Sequence, residues 1–516
     1  MIQPPKPTSR QEKIPLGRYL LAFRKDILSA QPERLYRAWM AEFKTPFFRS
    51  FLINQPDLIR KVLKENPDEF PKSERISEGL RPLLGESVFL TNGDVWKRQR
   101  RIIDPAFEGG RLKHVFPAMK AASEAAVSRI KPGIIEVEEA ASFAAADVIF
   151  RALFSVPIED KIATDIFQEF RRYQRQQPIL NIAAFVPLPR WMPRFHRRDT
   201  KASARKIRNL IEALTDKRAA ELKSGQAPED LATKLMTTPD PETGACFARD
   251  EMVDQVAIFL LAGHETSASA LAWALYLMAL YPDWQQRLAE EACVLDESSE
   301  FSVVGQLKLS RDVFRETLRL YPPVPMMVRE NQKRACFRDR RVAKGSAIVL
   351  SPWHLHRHQR LWDNPDGFDP GRWHTDNGKA CLWDAFLPFS SGARVCPGAG
   401  FAMIEGPLFL SRILRSFRIR CTEHEPPVPV AHLTMRANPK RSLLGRPCLR
   451  REYCGKEKAK LCAAVFVHIV LQDIVANGRG QPCIQRARRI YFSSKSVYGA
   501  VFFFCDGAKG QPKAVF

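Results

Sequence analysis

The residues with the clearest chemical potential lie between Phe389 and Gly398, in Phe-Ser-Ser-Gly-Ala-Arg-Val-Cys-Pro-Gly, just ahead of an apolar helical stretch from Phe401 to Phe417. A cysteine immediately before a helix sits at the positive end of the helix dipole, which favours the thiolate. Gly392 and Gly398 permit tight turns that let amide N–H groups point at the sulfur. Phe389 can shield the sulfur from water, and Arg394 supplies a cation two residues away. A desolvated, hydrogen-bonded thiolate suits a soft metal centre or a nucleophile. A lone cysteine at a helix start is most often a buried structural residue. Here Phe389, Gly392, Arg394, Cys396 and Gly398 agree together with F-x-x-G-x-R-x-C-x-G, which is too specific for that reading.

With this loop the chain resembles the cytochrome P-450 superfamily. The resemblance implies that Cys396 is the axial ligand of haem b (iron protoporphyrin IX), its thiolate pushing electron density onto the iron. Three further motifs match. In Ala262-Gly-His-Glu-Thr-Ser267, mid-helix glycine and threonine run against propensity, so something other than helix stability holds them there. Gly263 is expected to let the helix approach a flat cofactor. Thr266 is expected to hydrogen-bond dioxygen or a water beside it, and Glu265 to relay protons. His264 is read as packing rather than as a ligand. Glu316 and Arg319 stand i to i+3 on one helix face. By resemblance they join Arg372 in a buried ion network with a structural role. Trp96 and Arg100, four apart on a helix, would hold a haem propionate together with Arg329 and Arg394.

These residues need long helices to position them. Apolar residues recur at helical spacing around 30–45, 112–130, 160–176, 202–222 and 249–281, the last long enough to cross a large domain. Strand-like runs lie at Phe47–Ile53 and Arg341–Leu350. His354, His356 and His358 alternate, which would put them on one side of a strand, but no carboxylate or cysteine is near in sequence and a metal site is not expected. The expected fold is mainly α with a small β region. By resemblance it is a triangular helical domain with haem between the long central helix and the Cys396 loop.

The chain has 516 residues, 45% of them hydrophobic, enough for a substantial core. Its formal net charge is +23. Residues 440–516 carry 15 Lys/Arg against 4 Asp/Glu, and five of the eleven cysteines (Cys448, Cys454, Cys462, Cys483 and Cys505). The family pattern fades near Asn438. The expected domains are therefore 1–438, the haem domain, and 439–516, a basic, cysteine-rich tail outside it whose composition resembles translation in another reading frame. The scattered cysteines fit a reducing compartment, and the location expected is cytoplasmic. No segment reads as a signal or membrane anchor, and no nucleic-acid partner is implied.

The reaction implied is insertion of one oxygen atom of O2 into a hydrophobic small molecule, with electrons from a separate ferredoxin- or flavodoxin-type donor and its NAD(P)H reductase. Lys97, Arg98 and Arg101 are expected to offer that donor a basic patch. Leu80, Leu83, Leu84, Val88 and Phe89, then Ile179, Leu180 and Phe185, then Met326, Met327 and Val328, are the apolar candidates for a substrate pocket. Two other readings fit the cysteine loop: a thiolate-haem enzyme that does not activate O2 but uses peroxide or rearranges a hydroperoxide, and a non-enzymatic haem-binding or sensor protein or defective gene product. The Glu265-Thr266 pair argues against the first.

Overall fold

The computed structural model describes residues 2–11, 14–44, 49–176, 198–296, 298–422, 426–431, 434–438, 442–447, 502–504 and 513–515. It divides into two compact units, Met1–Cys448 and Leu449–Phe516. In the second, the described residues are two short antiparallel strands, Phe502–Phe504 and Lys513–Val515.

The first unit is built on the helix Arg249–Leu280. This central helix meets Val137–Phe154, Arg198–Lys223, Lys308–Leu320 and Ala399–Ser416. Its 32 residues are long and apolar enough to cross a membrane, but here they form the middle of a protein core. Met252–Leu261 and Ala270–Met278 are buried, whereas residues 262–269, His264 excepted, are not. The protein therefore buries the helix on both sides of the Glu265-Thr266 turn and covers that turn only in part.

The β structure is peripheral. Strands β1 (Met40–Lys44), β2 (Arg49–Ile53), β7 (Ala347–Leu350) and β4 (Met327–Glu330) form one sheet in that order, with β2 and β7 parallel. The hairpin β5 (Ala335–Phe337) and β6 (Arg340–Val342) leads into β7. Gly345, at a φ of +78°, occupies the turn between β6 and β7. Strands β9 (Val428–Ala431) and β10 (Met435–Asn438) pair with each other. Strand β11 (Ser442–Pro447) lies between β3 (Gly133–Glu136) and β8 (Phe417–Cys421).

Four of the five helical stretches expected from periodicity are helices: Gly109–Arg129, Lys161–Gln176, Arg198–Lys223 and the central helix. The fifth, 30–45, is a single 3-10 turn followed by β1. Its apolar residues satisfy both periods, and pairing with β2 decides between them. The histidine segment is also not a strand. Pro352–Leu355 is one helical turn capped by Ser351, whose side chain accepts from His354 N.

The compact unit also runs past the boundary expected at 438. Ser442–Pro447 supplies the middle strand of a three-stranded sheet, so its backbone is paired on both edges. A chain ending at residue 448 should keep its melting temperature, whereas one ending at 438 should melt several degrees lower, because β3 and β8 lose their shared partner. Equal melting curves for the two truncations would show that β11 adds nothing to the fold.

Candidate active site

The site is assembled from the Cys396 loop, the Trp96 helix (Gly93–Phe107), strand β4 and the central helix. Gly392 stands at a φ of +70°, and a side chain there would collide with Leu63 O, so the loop requires glycine at this point. Cys396 N donates to Phe389 O at 2.9 Å, which closes the loop. Helix Ala399–Ser416 starts three residues after the cysteine. The Cys396 side chain can be reached from solvent, yet protein surrounds it on most sides. Burial raises its thiol pKa; the Gly398 N–H, Arg100 and Lys72 oppose that shift. Phe389 packs beside the core at the head of the loop.

Four cations cluster beside the cysteine loop, two of which, Arg100 and Lys72, act on the sulfur itself. Arg100 donates to Val395 O at 2.7 Å and pairs with Asp104. Arg394 donates to Thr91 O and Asn92 Oδ1 and lies 4.1 Å over the Trp96 ring. Arg329 is 5% exposed on β4 and has no ion-pair partner among the described residues; burial lowers its pKa to about 10. Lys72 sits beside Arg329 across an isolated bridge, its Nζ bonded to Phe89 O. Its pKa is pushed well down, first by burial and then by Arg329, Arg394 and Arg100. Arg394 is lowered to about 10 by burial and by the same neighbours. Like charges are thus held together at a cost that an anion placed among them would relieve. The cluster fits a cofactor that carries carboxylates. Trp96, Arg100, Arg329 and Arg394 are brought together as the sequence led us to expect. Lys72 was not anticipated, because nothing in its local sequence separates it from a solvated lysine.

The Glu316, Arg319 and Arg372 side chains form the expected network. Arg319 and Arg372 lie 2.8 and 3.0 Å from Glu316 Oε1, and all three are buried. His356 extends it. Its Nδ1 donates to Arg319 O at 3.1 Å and its Nε2 accepts from Leu387 N at 2.8 Å. Burial first, and then Arg319, push this imidazole down to about 3, so it is neutral. Sequence reasoning left His356 without a role; it ties the Glu316 helix (Lys308–Leu320) to the start of the cysteine loop. No cluster of three or more His, Cys, Asp or Glu side chains able to hold a metal ion occurs among the described residues.

On the central helix, the Thr266 hydroxyl donates to Ala262 O at 2.6 Å. Glu265 is bonded to Thr434 and Arg436. His264 faces Ser142 and Phe167, in keeping with a packing role. Gly263 also has a packing role. A side chain there would meet Ile149 Cδ1 at 2.8 Å, so this glycine serves close packing of the central helix on Val137–Phe154. The basic patch is also weaker than expected: Lys97, Arg98 and Arg101 are paired with Asp68, Glu251, and Asp240 with Glu242. Among the apolar candidates, Leu80, Leu83, Leu84 and Val88 are buried, while Phe89 is exposed. Ile179, Leu180 and Phe185 lie outside the described residues.

One further acid, Glu405 on helix Ala399–Ser416, faces the central helix. Glu405 accepts from Ser267 Oγ at 2.6 Å in a small cavity also lined by Ala145, Leu271, Phe314, Gly406 and Phe409. Burial raises its pKa from 4.5 to about 8, with the Ser267 bond opposing. The folded protein thus holds a proton that the unfolded chain releases near pH 4.5. This contribution to stability is complete below that pH and lost as pH rises to about 8, at about 1.4 kcal/mol per pH unit. Urea titrations from pH 5 to 9 should show that slope in the parent and its loss in Glu405→Gln; parallel profiles would rule out a buried neutral Glu405.

The chain is similar to known proteins along most of its length. A family model for cytochrome P450 matches residues 34–444. Cyclooctat-9-en-7-ol 5-monooxygenase of Streptomyces melanosporofaciens is 32% identical over 380 residues, covering 72% of this chain and 80% of the relative. Cyclooctatin synthase of the same organism is 30% identical over 410 residues, covering 77% and 84%. The crystal structure of the cytochrome P450DA heme domain is similar with a TM-score of 0.71 at 21% identity, over 88% of this chain and 100% of that one, which bears on the fold alone. The fold of helices about a central helix, the cysteine loop under a cluster of cations and the match across most of the chain lead to one conclusion: this chain belongs to the cytochrome P450 family and is a haem-thiolate monooxygenase.

Proposed function

We propose that Cys396 is the axial ligand of haem b, and that the enzyme inserts one oxygen atom of O2 into a hydrophobic small molecule, with electrons from a separate ferredoxin- or flavodoxin-type donor and its NAD(P)H reductase. The balance is RH + O2 + two electrons + two protons giving ROH and water. The observation that carries the reading is the Cys396 sulfur, which has the Gly398 N–H directed at it, stands at a helix start and has Lys72, Arg100, Arg329 and Arg394 nearby. When bound, a thiolate-ligated haem supplies O2 activation, the thiolate favouring O–O cleavage.

The protein's part is binding and proton control. Arg100, Arg329, Arg394 and Lys72 would hold the propionates by charge-assisted hydrogen bonds, with Trp96 packed beneath Arg394. The Gly398 N–H stabilises the Cys396 thiolate, and Phe389 limits water at the loop. The Thr266 hydroxyl stands on the partly covered turn of the central helix, where it can hold a water or pass a proton on. Glu265 is the acid next to it. Glu316, Arg319 and Arg372 hold the loop in place and take no part in the chemistry. The apolar residues Leu80, Leu83, Leu84, Val88, Met326 and Met327 favour an apolar substrate. The cyclooctat-9-en-7-ol named for one relative belongs to that class.

Ferrous protein with carbon monoxide should show the strongly red-shifted Soret band of a thiolate adduct, and Cys396→Ser should lose it. An unchanged spectrum in that variant would refute Cys396 as the ligand. Thr266→Ala should keep haem and substrate binding while product per NADPH falls by about tenfold or more and hydrogen peroxide rises in its place. Unaltered coupling in Thr266→Ala would remove threonine from proton delivery.

A further inference from the structure

Glu405 is the only acid on helix Ala399–Ser416. The helix begins three residues after Cys396, so the acid and the cysteine loop share one rigid element, with Glu405 about 9 Å along it at about 1.5 Å per residue. Ser267 Oγ donates to Glu405 Oε2 at 2.6 Å, and no described group is bonded to Oε1. Ala145, Leu271, Phe314 and Phe409, which line the same cavity, are apolar. A side chain at Gly406 would collide with the Phe314 ring, so that ring is pressed against the helix at the residue next to Glu405. A carboxylate formed here has one hydroxyl to solvate it and no cation bonded to it among the described residues.

The charges on the neighbouring elements are engaged elsewhere. On Val137–Phe154, Asp147 pairs with Arg129 and Arg151. On the central helix, Glu265 is bonded to Thr434 and Arg436, and His264 faces Ser142, its pKa lowered to about 4 by burial. On Lys308–Leu320, Glu316 holds Arg319 and Arg372, and Asp312 holds Arg315 and His374. Glu291 accepts from Ser310, and Arg412, on the helix of Glu405 itself, reaches Glu124. Burial and the Ser267 hydroxyl alone act on the Glu405 carboxyl. A negative charge added at the cysteine end of the helix therefore meets no competing ion pair at this acid. In low-dielectric surroundings such a charge favours the neutral form of a nearby carboxyl.

We propose that Glu405 couples its proton to the electron delivered at the site: wherever the oxidised form holds a carboxylate, reduction of the haem on Cys396 draws one proton onto it, and reoxidation releases that proton. The balance is oxidised haem + RCOO⁻ + one electron + H⁺ giving reduced haem + RCOOH, with the electron from the donor protein and the proton from solvent. The buried site thereby gains no net charge on reduction. Glu405 acts through its field and not by contact, as a positioning residue. The proposal rests on the reading of Cys396 as the haem ligand. The sign follows from burial, which lifts the Glu405 pKa to about 8. Below that pH both redox states hold the proton and the potential is flat. Above it the oxidised form loses the proton while the reduced form keeps it, so the potential falls as pH rises.

The test is a mediated redox titration of the haem-loaded enzyme from pH 6 to 10. In the parent the midpoint potential should be level up to about pH 8 and then fall. The limiting slope is one proton per electron, tenfold per pH unit or about 59 mV for a one-electron couple. Glu405→Gln should be level across the same range. Ser267→Ala removes the bond that opposes the burial shift, so its break should move to higher pH. Redox-difference infrared spectra at pH 9 should show a protonated carboxyl band appearing on reduction in the parent and missing from Glu405→Gln. A level potential in the parent, or the same slope in Glu405→Gln, would overturn the link. If Glu405→Gln fails to load haem, the other two measurements decide: an unmoved break in Ser267→Ala, or no carboxyl band in the parent, overturns it. A parent without the thiolate carbon monoxide spectrum would instead strike the haem assignment, whereas that spectrum with a level potential strikes the proton link alone.

Discussion

The ion network of Glu316, Arg319 and Arg372 is the constraint on which the site depends. Three charges are held almost entirely out of water, an arrangement that is costly unless every polar atom finds a partner. Here they do. All five Arg319 N–H groups are used, on both Glu316 oxygens and on His356 O, Pro365 O and Gly367 O. Arg372 takes Glu316 together with Asp363 O, Asn364 O and Gly367 O. The network therefore collects the carbonyls of a long irregular segment that has little regular structure of its own to satisfy them. Removing one charge would strand the others, at roughly 3–5 kcal/mol.

From this network the order is carried to the sulfur by short links. Arg319 O receives the His356 proton, His356 receives the Leu387 N–H, and Phe389 O receives the Cys396 N–H. A neutral imidazole suits the middle of this chain, because it must donate on one side and accept on the other. An imidazolium could only donate. The depressed pKa of His356 and the geometry of its two bonds thus express one requirement. The result is a cysteine whose backbone is fixed from behind while its sulfur faces the open side.

The central helix works by contrast between its stretches. Where it passes Val137–Phe154 it is packed so closely that a side chain at position 263 would press on Ile149. One turn later its polar side chains diverge: Glu265 to Thr434 and Arg436, Thr266 back to its own carbonyl, Ser267 to the buried Glu405. Three consecutive residues thus serve three environments, which explains how a run unfavourable for a helix persists in the middle of one.

Much of this was legible in the sequence, and the reason is locality. The cysteine loop, the Glu316/Arg319 spacing, the Trp96/Arg100 pair and the central helix follow from turn residues and from a 3.6-residue period, which act over neighbouring positions. What needed the tertiary structure depends on partners far along the chain. Residues 30–45 became a turn and a strand because β2 was available to pair with them. Ser442–Pro447 joined the domain because β3 and β8 each lacked a neighbour. Lys72 became part of the cation cluster only through its bridge to Arg329, 257 residues away. Glu265 found its donors across a gap of about 170 residues. The residue types able to do the chemistry are set by the local sequence; which of them meet, and which charges remain for a cofactor to balance, is decided by long-range pairing and packing.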